Sequence, residues 1–82
     1  MIKTAPKGKF AENFSANFRF LRENCEINKS RLAAQLGISR MQMYRYEIGE
    51  NFPPVDQLEK ICKFFGLSVF DLLERNIEQL SA

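Results

Sequence analysis

Between Arg40 and Arg45 the sequence sets two guanidinium groups, a carboxamide (Gln42), a thioether (Met41) and a phenol (Tyr44) within two helical turns. A guanidinium fork donates two parallel hydrogen bonds, a carboxamide both donates and accepts, and a thioether offers soft apolar contact. This is an inventory for non-covalent recognition of flat polar edges. Covalent chemistry has no comparable set. The 82 residues contain no His to serve a nucleophile, no Gly-rich phosphate loop, and ten carboxylates that form no constellation distinct from ordinary helix-surface acids. Cys25 and Cys62 stand far apart in no paired spacing, which excludes a conventional four-ligand zinc site and a secreted disulfide framework. Both read as reduced, structural thiols, so the expectation is no enzyme, no cofactor, no metal and a cytoplasmic setting.

Positioning such a face requires elements, and the periodicity is helical from end to end. Phe14, Phe18, Leu21 and Cys25 recur at intervals of four, three and four, with Phe10 in phase upstream. A second helix is expected over 29–36, opened by Asn28 as N-cap and closed by Gly37. A third is expected over 40–47, where Ser39 and Gln42 have the spacing of a capping box. The fourth starts at Pro54 or Val55 and carries Val55, Leu58, Ile61, Cys62 and Phe65 on one face up to Gly66. Ser68 then opens a fifth helix, whose stripe of Leu72, Leu73, Ile77 and Leu80 runs almost to the last residue. The expected fold class is all-α with five helices, in one domain over 11–82 preceded by a flexible basic arm over 1–10. No signal peptide or membrane span is recognisable.

The helices over 29–36 and 40–47 are separated only by Gly37, Ile38 and Ser39, the turn length of a helix-turn-helix. Leu32, Ala33 and Leu36 must press inward, Ile38 plugs the gap, and Met43 and Tyr46 anchor the next helix. Arg40, Met41, Gln42, Tyr44 and Arg45 are thereby forced outward, at the turns where a recognition helix meets base edges in the DNA major groove. Arg suits guanine O6 and N7, Gln suits adenine, and Met41 suits a thymine methyl. The residue types leave alternatives for two of them: Gln42 is needed at the cap as well, and Tyr44 can simply cover surface. Charge agrees with an anionic partner. Residues 1–48 hold nine basic and four acidic side chains, whereas 49–82 hold three and six, so a net +5 half precedes a net −3 half.

These residues, in order, resemble the phage-repressor and Cro-like (XRE-type) helix-turn-helix family: Phe18 to Arg22, Leu32 to Ser39, Arg45 to Glu47, Gly49 and Glu50, Pro53, and Leu58 through Leu73. The resemblance implies a five-helix lambda-repressor-like DNA-binding domain that binds double-stranded operator DNA, usually as a homodimer on a near-palindromic site. It places Asn28 and Lys29 where the first motif helix sets its N-terminus on a phosphate, with Lys29 at a position where Gln is usual; Arg31 joins them as a phosphate contact. It places Arg40, Met41, Gln42, Tyr44 and Arg45 on base-reading positions, and matches Arg22 and Glu47 to a buried ion pair that ties helix one to the end of the reading helix. The loop after Gly49 often carries basic residues in the family, but here reads Glu50, Asn51, Phe52, leaving backbone N–H groups of Gly49 to Asn51 as the substitute. The function so implied is a sequence-specific transcriptional regulator, foremost a repressor, with dimerisation through Val69, Phe70 and Ile77. The rival is an antitoxin or protein-interaction module on the same fold, for which Phe20, Phe52 and Phe70 supply unassigned aromatic surface.

Overall fold

The computed structural model describes residues 8–81, which form α1 (Lys9–Glu23), α2 (Lys29–Leu36), α3 (Arg40–Glu47), α4 (Val55–Phe65), α5 (Val69–Glu74) and α6 (Ile77–Ser81). α1 lies centrally. It packs most extensively against α5 and also against α3 and α6, while α2 packs against α3 and α4. Phe14 and Phe18 stack along α1, and Tyr46 of α3 meets both rings edge-on. Around them Leu32, Leu36, Met43, Ile61 and Leu72 are fully buried, closing one core between α3 and the rest of the domain. Rigid packing of Met43 and Tyr46 is what fixes the outward face of α3.

Local signals decide the two motif helices. Asn28 Oδ1 accepts from Arg31 N at 2.9 Å, and Ser39 Oγ accepts from Gln42 N at 3.0 Å, each satisfying an otherwise unpaired N–H of a first helical turn. Gly37 ends α2 at φ 72°, with its N–H on Ala34 O and the Ile38 N–H on Ala33 O. That is a Schellman closure, and a left-handed residue is needed at its turn. Gln57 of α4 also donates to Leu36 O at 2.6 Å, fastening the end of α2 from outside.

Within the helical framework the structure departs from sequence expectation at several places. The long fifth helix is two helices, broken at Arg75, whose backbone is extended (φ −111°, ψ 161°), so the described residues form six helices. Val55 is 83% exposed although it matches the α4 stripe, because it is the first residue of its helix and overhangs the core that Leu58 and Ile61 enter. Lys9 and Phe10, assigned to the arm, are the first turn of α1; the remainder of the expected arm, 1–7, lies outside the described residues. Phe20 and Phe52 both reach inward: Phe20 is half-buried against the core, and Phe52, still 36% exposed, sets its ring edge-on to Phe14 at 5.3 Å.

What stabilises the break at Arg75 is a buried side chain that sequence reading passed over. Asn17, 3% exposed on α1, donates to Leu72 O at 2.8 Å and Arg75 O at 2.7 Å, and accepts from Ile77 N at 3.0 Å. One carboxamide thus satisfies carbonyls left open by the end of α5 and an amide left open by the start of α6. Asn13, one turn earlier, donates to Leu73 O at 2.8 Å. The signal was present as Asn residues four apart beside the apolar stripe of α1, and as Asn76, which caps α6 by accepting from Gln79 N.

Candidate nucleic-acid interface

Of the sequence-predicted DNA-contacting residues, the structure brings Lys29, Arg40, Met41 and Tyr44 to one groove. Arg40, Met41, Tyr44 and Arg45 are all exposed along α3, Met41 and Tyr44 by 57% and 56%, whereas Met43 and Tyr46 on the opposite face are buried. Asn28, Lys29 and Arg31 are exposed at the first turn of α2. A groove of about 390 Å³ joins the two helices, lined by Lys29, Arg40, Met41, Met43, Tyr44 and Glu47. Lys29, at the N-terminus of α2, therefore faces the same concavity as Arg40 at the N-terminus of α3. Both helix starts present partial positive charge there, which adds to the two cations. Lys29, Arg31 and Arg40 form no ion pair among the described residues, so their charge is available to an anion.

Arg22 and Glu47 meet in the geometry that most restricts the end of α3. Arg22 Nε lies 2.7 Å from Glu47 Oε2 and Nη2 lies 2.8 Å from Oε1, a two-pronged pair with side chains 18% and 9% exposed. The hydrogen bond to Glu47 raises the Arg22 pKa; desolvation acts against it, and the Glu47 charge reinforces it. A raised arginine pKa means that the part of the stabilisation linked to Arg22 ionisation is present below the ordinary guanidinium range and is lost as pH climbs through a still higher value. The guanidinium thus stays charged at every working pH. Cys62 is the other perturbed group: burial, helped by Asp71, raises its thiol pKa, consistent with a protonated packing residue.

The loop after α3 behaves differently from expectation. Gly49, at φ 79°, lets the chain turn back so that Gly49 N–H reaches Tyr46 O, while the Glu50 and Asn51 N–H groups both reach Arg45 O. These three amides close the C-terminus of α3, so the expected substitute for basic loop residues, backbone N–H donation to phosphate, is already engaged. Two side chains of the loop instead hold side chains of α3. Glu50 Oε1 lies 3.2 Å from Arg45 Nε, and Asn51 Nδ2 donates to Gln42 Oε1 at 3.4 Å. Gln42, half-buried, does not fold back on Ser39; the cap is made by its backbone N–H alone.

On the far side, Val69 and Phe70 of α5 are exposed, and the Arg75 guanidinium lies 5.2 Å from the Phe70 ring centroid. Ile77, expected to share that surface, is buried in the core through α6 and is not available to a partner. Among the described residues no helix is long and apolar enough to cross a membrane, and no three His, Cys, Asp or Glu side chains gather as metal ligands.

This architecture has close counterparts. The chain is 30% identical over 69 residues to the cryptic phage CTXphi transcriptional repressor RstR of Vibrio cholerae, covering 80% of this chain and 62% of that protein. It is 32% identical over 60 residues to the HTH-type transcriptional activator BcrR of Enterococcus faecalis, covering 73% of this chain and 29% of that protein. The chain therefore spans less than two thirds of either relative. Its fold matches the solution structure of the SOS-response transcriptional repressor LexA from Eubacterium rectale with a TM-score of 0.75 at 22% identity, over 84% of this chain and 73% of that one. It also matches the crystal structure of a hypothetical transcription factor, NHTF, from Neisseria with a TM-score of 0.71 at 20% identity, over 99% and 95% of the two chains. At these identities the two structural matches speak to fold alone. Residues 19–78 match the family model of the Cro/C1-type HTH DNA-binding domain, a stretch that includes both motif helices, the Arg22–Glu47 pair and the Asn51 loop. The chain belongs to the Cro/C1-type helix-turn-helix DNA-binding domain family.

Proposed function

We propose that this chain is the sequence-specific DNA-binding element of a transcriptional repressor, inserting α3 into the major groove and acting by occupying its operator. The observation that carries this reading is the outward row of Arg40, Met41, Tyr44 and Arg45, with Gln42 half-buried beside it, on a helix whose other face is locked by Met43 and Tyr46. In this role Arg40 and Arg45 read guanine edges and Met41 offers a surface to a thymine methyl, with Gln42 and Tyr44 contributing at neighbouring base pairs. Lys29 and Arg31, with the capped start of α2 at Asn28, grip phosphates and set the register of α3. A cytoplasmic setting follows for a protein that works on DNA. Two copies paired through Val69 and Phe70 of α5 would present two reading helices to half-sites about 34 Å apart, one turn of the duplex.

The two contact classes separate experimentally. Arg45→Ala or Arg40→Ala is expected to lose about 1–3 kcal/mol of affinity for a selected duplex and to relax the preference at one base pair. Lys29→Ala is expected to weaken all duplexes alike and to flatten the slope of log K against log salt by about one unit. Fluorescence anisotropy titrations at several salt concentrations, on selected and scrambled duplexes, measure both. Arginine variants that bind and discriminate as the parent does would remove α3 from the interface.

A further inference from the structure

We infer that Asn51, in the loop after the reading helix, is a specificity-determining residue: it holds the Gln42 carboxamide in one orientation and so decides which base that side chain accepts. The inference rests on the reading of α3 as the base-contacting helix and deepens it. A free glutamine suits adenine because its carbonyl oxygen accepts from N6 while its NH2 donates to N7. Here the carbonyl oxygen is aimed at the loop, with one of its two lone pairs taken. Asn51 Nδ2 donates to Gln42 Oε1 at 3.4 Å, which turns the Gln42 NH2 group outward as the free end of the side chain.

Asn51 is itself held firmly enough to impose this orientation. Its backbone N–H is bonded to Arg45 O at 3.3 Å, and it follows Gly49 and Glu50 through the closed turn that ends α3. The adjacent loop residue acts on the next reading side chain, since the Glu50 carboxylate lies 3.2 Å from Arg45 Nε. With Nε occupied, Arg45 presents its Nη edge. Glu50 and Asn51 thus leave Gln42 and Arg45 both offering donors, and a row of donors fits the acceptor edges of guanine (O6 and N7) and thymine (O4). Adenine offers such donors N7 alone, beside an N6 donor that they cannot pair with, and the N4 edge of cytosine offers them nothing.

The test is selection from a pool of random duplexes by the full chain, by Asn51→Ala and by Asn51→Asp, with thermal melting to confirm that each variant folds. The parent is expected to select guanine or thymine at the base facing Gln42. Asn51→Ala frees the carboxamide and is expected to shift that one position toward adenine by about tenfold or more, the scale of a single bidentate contact. Asn51→Asp replaces the donor with an acceptor, draws the Gln42 NH2 group inward, and is expected to favour adenine or cytosine there. An unchanged base at that position in both folded variants, beside a clear parental motif, overturns the role of Asn51 and leaves the proposed function intact. A parent that selects no motif overturns both, and the arginine titrations then show independently whether α3 meets DNA at all.

Discussion

Replacing Asn17 by Ala is expected to destabilise the domain by about 3–5 kcal/mol, with thermal and urea unfolding as the measurements. The substitution strips partners from Leu72 O, Arg75 O and Ile77 N at one stroke. An unsatisfied buried backbone group costs about 1–3 kcal/mol, and the exposed position of Arg75 lets water relieve part of the total. In a domain of this size each kcal/mol moves the midpoint by about 4–8 °C, so a drop of about 15 °C or more is expected. Two further variants separate hydrogen bonding from volume. Asn17→Leu fills the space and is expected to fail nearly as badly. Asn17→Asp keeps the acceptor for Ile77 N but turns a carboxylate toward two carbonyls, and is expected to be no better than Ala at neutral pH. Asn13→Ala, which loses one half-exposed bond, serves as the mild reference at about 1 kcal/mol. A loss under about 1 kcal/mol in Asn17→Ala would mean that α5 and α6 are held by apolar contact alone.

Glu47→Ala carries the second large effect. It leaves the Arg22 guanidinium, 18% exposed, without either of its carboxylate bonds. Breaking a buried pair by removing one partner costs about 3–5 kcal/mol, and the residual access of Arg22 to water places the expected loss at the lower end, about 3 kcal/mol. Deprotonation offers no relief, because the unpaired arginine still titrates far above working pH. Replacing both members by well-fitted apolar residues, Arg22→Met with Glu47→Leu, is expected to recover most of that stability, since the pair and a hydrophobic isostere are close in free energy. A double-mutant cycle in urea measures the coupling. A cycle with no coupling would reduce the pair to a surface contact and remove it as the strut between α1 and the end of α3.

The two motif helices were legible to the residue because their ends are written locally. Asn28 and Ser39 each cap through a bond to a backbone N–H three positions on, and Gly37 supplies the one left-handed turn between them. The outward set on α3 was legible for the same reason: a 3.6-residue period with Met43 and Tyr46 inward leaves no other placement for Arg40, Met41, Tyr44 and Arg45. The break at Arg75 was hidden. Leu72, Leu73, Ile77 and Leu80 keep a helical period across it, and the group that favours the break, Asn17, lies near the other end of the chain. Loop contacts were equally silent. Phe52 reaches Phe14, Glu50 reaches Arg45 and Asn51 reaches Gln42 only because Gly49 reverses the chain, and no periodicity encodes where a loop side chain lands.

The claim that α3 and the start of α2 form the DNA-contacting surface is most directly tested by mapping backbone amide chemical shifts of the whole chain as a selected duplex is added. The largest changes are expected at residues 28–31 and 39–45, with α5 and α6 little altered outside the proposed pairing surface at Val69 and Phe70. Changes concentrated on α5 and α6, with the amides of α3 unmoved at saturation, would contradict it.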